Sequence, residues 1–95
     1  MVNSIEMYTF REQRHNILDY LYDEFYMSKK DVQVNILLMN LVTRKIIPTD
    51  NNDIIYCHID YLAQKGFIEV SAYTKAKPSI INITAEGMDF IEDND

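Results

Sequence analysis

The sequence predicts an α+β fold, mostly helical: three helices, a two-stranded hairpin and a C-terminal helix within one domain over residues 1–95. Three observations carry this. In Thr49–Ile68, TDNNDIIYCHIDYLAQKGFI, residues Ile55, Ile59 and Leu62 recur at i, i+4 and i+7, and the pattern changes at Gly66. Two strand-like runs follow, Phe67–Tyr73 and Ser79–Thr84, the second rich in β-branched residues. Finally, no repeat, low-complexity tract or linker interrupts the chain, and 47% of its 95 residues are hydrophobic, enough for one core. Only the polar ends, 1–6 and 92–95, are expected to fray.

The first helix is expected over residues 8–26. Phe10, Ile17, Leu18, Leu21, Tyr22 and Phe25 form its apolar side, with Glu12, Gln13, Asn16, Asp19 and Asp23 opposite. Arg11 and Arg14 lie early and Asp23 and Glu24 late, which opposes the helix dipole and leaves packing to hold this helix. Ser28 and Asp31 have the spacing of a capping box for a second helix, Lys29–Lys45. Its middle, VNILLMNLV, is apolar on nearly every side, which in a chain this small points to burial against a second copy. Arg44 and Lys45 close that helix, and Ile46, Ile47 and Pro48 make an extended link. The third helix takes Asp50 as N-cap, Asp53 in its first turn, Lys65 in its last and Gly66 as the left-handed residue beyond. A turn over Thr74–Pro78, TKAKP, joins the strands. Thr84 then caps the last helix, whose apolar members are Met88, Phe90 and Ile91.

Composition narrows the function. Nine basic against fifteen acidic residues give a net charge of −6, so nucleic-acid binding must rest on a local basic patch, while protein partners are favoured. A single cysteine, Cys57, cannot form an internal disulfide and fits the reducing cytoplasm. No signal-peptide pattern opens the chain, and the most apolar run, Val32–Val42, is too short to span a bilayer. His15 and His58 are far apart in sequence, and Cys57 and His58 point to different sides of a helix, so neither a metal site nor a cofactor is expected. No nucleophile triad or glycine-rich phosphate loop can be named, with Gly66 and Gly87 the only glycines. The chain therefore reads as a non-enzyme.

The candidate contact surface is the outward side of the third helix: Asn51, Asn52, Tyr56, Cys57, Asp60, Tyr61 and Gln64. Asn and Gln can pair with adenine and Tyr can reach a phosphate, but the surface has no Arg or Lys, and Asp60 repels phosphate. Lys75 and Lys77 in the turn can neutralise backbone charge, and with Arg44 and Lys45 would form a basic strip. Lysine-rich hairpin tips also serve solubility and discourage edge pairing. Tyr20, Tyr22, Tyr26, Tyr56, Tyr61 and Tyr73 suggest an aromatic surface, with Tyr22 assigned to the core and Tyr56 and Tyr61 to a partner. Duplex DNA and protein both remain open as partners.

IIYCHIDYLAQKGFI resembles the third helix and first wing strand of winged-helix regulators of the PadR, MarR and ArsR kind. ITAEG, Ile83–Gly87, is similar to the LT-x-x-G that ends their second wing strand. EQRHNILDYL, YLAQKGFI and TAEGMDF resemble small winged-helix proteins of Mu-like prophages. These motifs cover about half the chain. The resemblance implies a winged helix-turn-helix fold, and with it a dimeric transcriptional regulator, phage or mobile-element encoded, that binds double-stranded DNA. Its alternative is an acidic winged helix that occupies a site on a host protein. One departure is specific: such regulators commonly carry Arg on the reading helix, where this chain has Cys57 and Tyr61.

Overall fold

The first described turn is fixed by two side chains. Thr9 Oγ1 accepts from the Glu12 amide at 3.0 Å, and Glu12 Oε1 accepts from the Thr9 amide at 2.9 Å. This capping box opens α1, Phe10–Tyr26. The Thr9 amide and hydroxyl both favour the charged carboxylate, so the Glu12 pKa lies below its ordinary value. The computed structural model describes residues 9–27, 30–44, 46 and 51–93. The expected ends of the molecule, residues 1–6 and 94–95, and the positions Ser28, Lys29, Lys45, Ile47, Pro48, Thr49 and Asp50 lie outside them.

After α1 come β1 (Val32–Gln33), α2 (Val34–Thr43), α3 (Asn52–Gln64), β2 (Ile68–Thr74), β3 (Lys77–Ile83) and α4 (Ala85–Asp93). The fold is α+β and mostly helical among the described residues, with four helices and one antiparallel sheet of strand order β1-β3-β2. The second helix is shorter than Lys29–Lys45 because its expected first turn is extended. Val32 pairs with Ile81 and Gln33 with Ile80, so residues 32–33 add a third strand to the hairpin. Asp31 is accordingly no capping residue of α2. Its carboxylate accepts from Asn82 Nδ2 at 3.0 Å, and that amide also reaches Ser71 Oγ at 3.3 Å, which ties β1, β2 and β3 together.

α3 begins one residue later than expected. Asn51 is the N-cap, its Oδ1 accepting from the Asp53 amide at 3.0 Å. At its other end Lys65 is the C-cap and Gly66 has φ +80°. The Phe67 amide donates to Leu62 O and the Gly66 amide to Ala63 O, each at 3.0 Å. Those two bonds define a Schellman motif, for which glycine is the favoured residue. The hairpin turn is tighter than Thr74–Pro78. Thr74 pairs with Lys77, leaving only Lys75 (φ 53°) and Ala76 (φ 66°) as the loop. Positive φ at both central residues is the signature of a type I′ turn.

The last helix is locked to the end of α3. Thr84 Oγ1 accepts from the Gly87 amide at 3.0 Å, so Thr84 is its N-cap as the sequence predicts, and donates to Gly66 O at 2.6 Å. Gly87 packs against the same loop: a Cβ there would lie 2.2 Å from Phe67 O. α4 extends through Glu92 and Asp93, which the sequence assigns to a frayed end, and Glu92 accepts from the Tyr22 hydroxyl at 2.8 Å.

The core is formed by Ile17, Leu18 and Leu21 of α1, Leu37 and Leu41 of α2, Ile55, Ile59 and Leu62 of α3, Ile81 and Ile83 of β3, and Ile91 of α4. Two polar residues of α1 expected to face solvent turn inward. Gln13 is buried and pairs with His58 at 2.9 Å, and Asn16 Nδ2 donates to Ile46 O at 3.0 Å. Phe10 goes the other way, 58% exposed, with its ring edge-on to His58 at 5.5 Å.

Candidate nucleic-acid or partner interface

Burial of Ile55, His58, Ile59 and Leu62 fixes which way α3 points. At 3.6 residues per turn the opposite ridge carries Asp53, Cys57, Asp60 and Gln64, spaced i, i+4, i+7 and i+11, all exposed. The crest of the helix is thus acidic. The two tyrosines lie on its flanks rather than its crest. Tyr56 is half-buried on the side of the β2–β3 hairpin, and Tyr61, 42% exposed, is on the side of α1.

Each flanking tyrosine carries a cation. The Lys77 ammonium stands 4.8 Å from the Tyr56 ring centroid, and the Arg14 guanidinium stands 4.0 Å from that of Tyr61. Lys77 thereby joins the hairpin to α3. A groove on that side is lined by Tyr56, Lys75, Lys77 and Pro78, with Gln33 of β1 and Asn35 of α2. Asn51 and Asn52 are exposed at the head of α3.

The four cations grouped by the sequence as one strip do not all converge. Lys75 and Lys77 share the hairpin groove. Arg44 is the C-cap of α2, at the opposite end of that ten-residue helix from Gln33, and its guanidinium lies 5.7 Å from the Tyr20 ring centroid. Lys45 lies outside the described residues. Tyr20 is not a surface residue: it is 6% exposed, and its hydroxyl accepts from Asn40 Nδ2 at 2.8 Å. Tyr22 is half-buried, whereas Tyr26 and Tyr73 are 62% and 64% exposed.

Two features of this region are not visible in the spacing of α3. The Gln13–His58 pair is buried behind the helix, with His58 Nε2 2.9 Å from Gln13 Oε1. Burial, and secondarily the nearby Arg14 charge, push the His58 pKa below its ordinary value. The other is Arg14 itself, which reaches Tyr61 from a different helix.

A second apolar surface lies on α2. Val34, Leu37 and Leu41 are buried, while Ile36, Met39 and Val42 are 43%, 60% and 41% exposed, at i, i+3 and i+6. Among the described residues no helix is long and apolar enough to cross a membrane, and no group of three His, Cys, Asp or Glu side chains is arranged to hold a metal ion. Compared with protein-family models, curated proteins and solved structures, the chain matches none.

Proposed function

We propose that the chain is a winged-helix protein that binds duplex DNA through α3 and the β2–β3 hairpin and acts as a transcriptional regulator. The element order α1-β1-α2-α3-β2-β3-α4, with β1 on the outer side of β3, supports the winged-helix reading, in which α3 is the reading helix and β2–β3 the wing. The observation that carries DNA binding is the Lys77–Tyr56 contact, which makes the wing and the reading helix one continuous surface. An α-helix with its side chains is about 10–12 Å across and the major groove about 12 Å wide, so α3 fits with its crest towards the base edges. There Asn52 and Gln64 suit adenine, and Asp53 and Asp60 suit the amino group of cytosine. Lys75 and Lys77 neutralise phosphates beside it. The single cysteine, Cys57, and a DNA target support a cytoplasmic location.

The regulator acts as a homodimer joined through the Ile36–Met39–Val42 stripe of α2, since an apolar ridge of this kind gains free energy by leaving water. Its likeness in sequence to small winged-helix proteins of Mu-like prophages supports a phage or mobile-element origin.

Selection from a random duplex pool at low salt tests the DNA reading. It predicts enrichment of a defined sequence by the wild type and none by the Lys75→Glu/Lys77→Glu variant. Equal retention of all sequences by both proteins contradicts it.

The acidic crest favours a second reading, a surface that meets a basic site on a host protein, with Asp53, Asp60, Tyr56 and Tyr61 as its contacts and Asp50, just before Asn51 in sequence, as a further acidic residue. Under this reading Tyr61→Ala and Asp60→Lys abolish capture of one host protein while no duplex is retained. Capture that survives both substitutions rules it out.

A further inference from the structure

We propose that a groove between α1, the end of α3 and α4, which shares Tyr61 with the flank of the α3 surface, is a binding site for a small aromatic phosphate ester. The groove, about 990 Å³, lies at the upper end of the range of small-ligand sites and opens to solvent. Arg11, Arg14 and His15 line it from one face of α1, at i, i+3 and i+4, and Tyr61 and Lys65 face them from α3 at i and i+4. Three of the nine cations of a chain with net charge −6 therefore meet in one depression: Arg11, Arg14 and Lys65.

No ion pair among the described residues neutralises them. The one carboxylate among the described lining residues, Glu12, accepts from the Thr9 amide in the capping box. Arg14 rests on the Tyr61 ring instead of on an acid. The rest of the lining is apolar: Phe67 and Phe90 stack at 4.6 Å with planes 27° apart, beside Leu18 and Leu62. Cations that share one depression without an ion pair favour an anion there, and three of them suit the dianionic charge of a phosphate monoester better than a single carboxylate. An apolar aromatic wall next to them requires a flat body on that anion.

The inference does not depend on DNA binding, because its test uses no operator. Protein labelled with ¹⁵N is titrated with phenyl phosphate, inorganic phosphate and benzyl alcohol, and separately with duplex DNA. Phenyl phosphate is expected to give saturable shifts at the amides of Arg14, Tyr61, Lys65 and Phe67. Inorganic phosphate and benzyl alcohol should each bind at least tenfold more weakly. Arg14→Gln and Lys65→Gln should each weaken phenyl phosphate roughly tenfold, as loss of a charge-assisted bond does, while the β2–β3 resonances stay in place and report an intact fold. The proposal is overturned by shifts that do not saturate, or by affinity unchanged in both variants. It is equally overturned if the groove amides respond to duplex and not to phenyl phosphate, since the groove is then a seat for the DNA backbone.

Discussion

Two single residues hold α3 in place, and each makes a testable claim. Gly87 lies so close to the loop after α3 that a Cβ would stand 2.2 Å from Phe67 O and 2.9 Å from Ile83 Cγ1. Backbone is the nearer obstacle and cannot swing aside, so Gly87→Ala should lower unfolding free energy by about 3 kcal/mol in urea titration, at the upper end of overpacking effects. His58 has its pKa depressed by burial, so below about pH 6.5 the unfolded chain binds a proton that the folded chain refuses. Stability should therefore fall as pH drops through that point, level off below the folded pKa, and gain nothing from His58 above it. Thermal melts between pH 5 and 8 should show this slope for the wild type and a flatter one for His58→Gln. The TAEG pattern was legible as a motif, but only the approach of Phe67 explains its glycine. The role of Gln13 was not legible, because a glutamine among polar neighbours gives no sign that its partner is 45 positions away.

At the scale of elements, turns with local chemistry were readable and those completed by distant pairing were not. Gly66 announced the end of α3 because the Schellman motif uses a residue at its own position. The hairpin turn was misjudged as five residues because it lacks the Asn-Gly or Asp-Gly that marks a type I′ turn and uses Lys75 and Ala76 at positive φ instead. A left-handed L-residue costs about 1–2 kcal/mol, offset in part by the greater freedom that glycine has when unfolded. Ala76→Gly should thus stabilise the protein by about 0.5–1 kcal/mol in chemical denaturation. β1 was read as the start of α2 because Val32 and Val34 continue the apolar run. Its strand character comes from Ile80 and Ile81, almost fifty residues later. The capping box expected at Ser28 and Asp31 was misplaced for a related reason: Asp31 has the right spacing to Ser28, yet its carboxylate is held by Asn82. The outward side of α3 was mostly legible from the periodicity of Ile55, Ile59 and Leu62. Its split into an acidic crest and two cation-capped tyrosines was not, since Arg14 and Lys77 arrive from other elements.

For the whole molecule, the sequence pointed to a second copy through the apolarity of α2, and the exposed Ile36, Met39 and Val42 define which side would meet it. Asn40 is a poor probe of that interface because its amide is bonded to Tyr20 within the same chain. Met39→Lys is a better one, since the residue is 60% exposed and a surface substitution should change stability by no more than about 0.5 kcal/mol. Light scattering at micromolar concentration should give a dimer for the wild type and a monomer for Met39→Lys; a dimer in both moves the interface elsewhere. An overall charge of −6 opposes DNA at long range, so the proposed DNA binding would have to rest on few local phosphate contacts. The most direct test of the central claim is the salt dependence of affinity for a selected duplex, measured by fluorescence anisotropy for the wild type and for Lys75→Glu/Lys77→Glu. Each phosphate contact contributes about 0.9 to the slope of log affinity against log salt, so loss of the two lysines should flatten it by about 2 and weaken binding. Identical slopes in the two proteins, or an affinity of the wild type that salt leaves unchanged, would contradict DNA recognition by α3 and its hairpin.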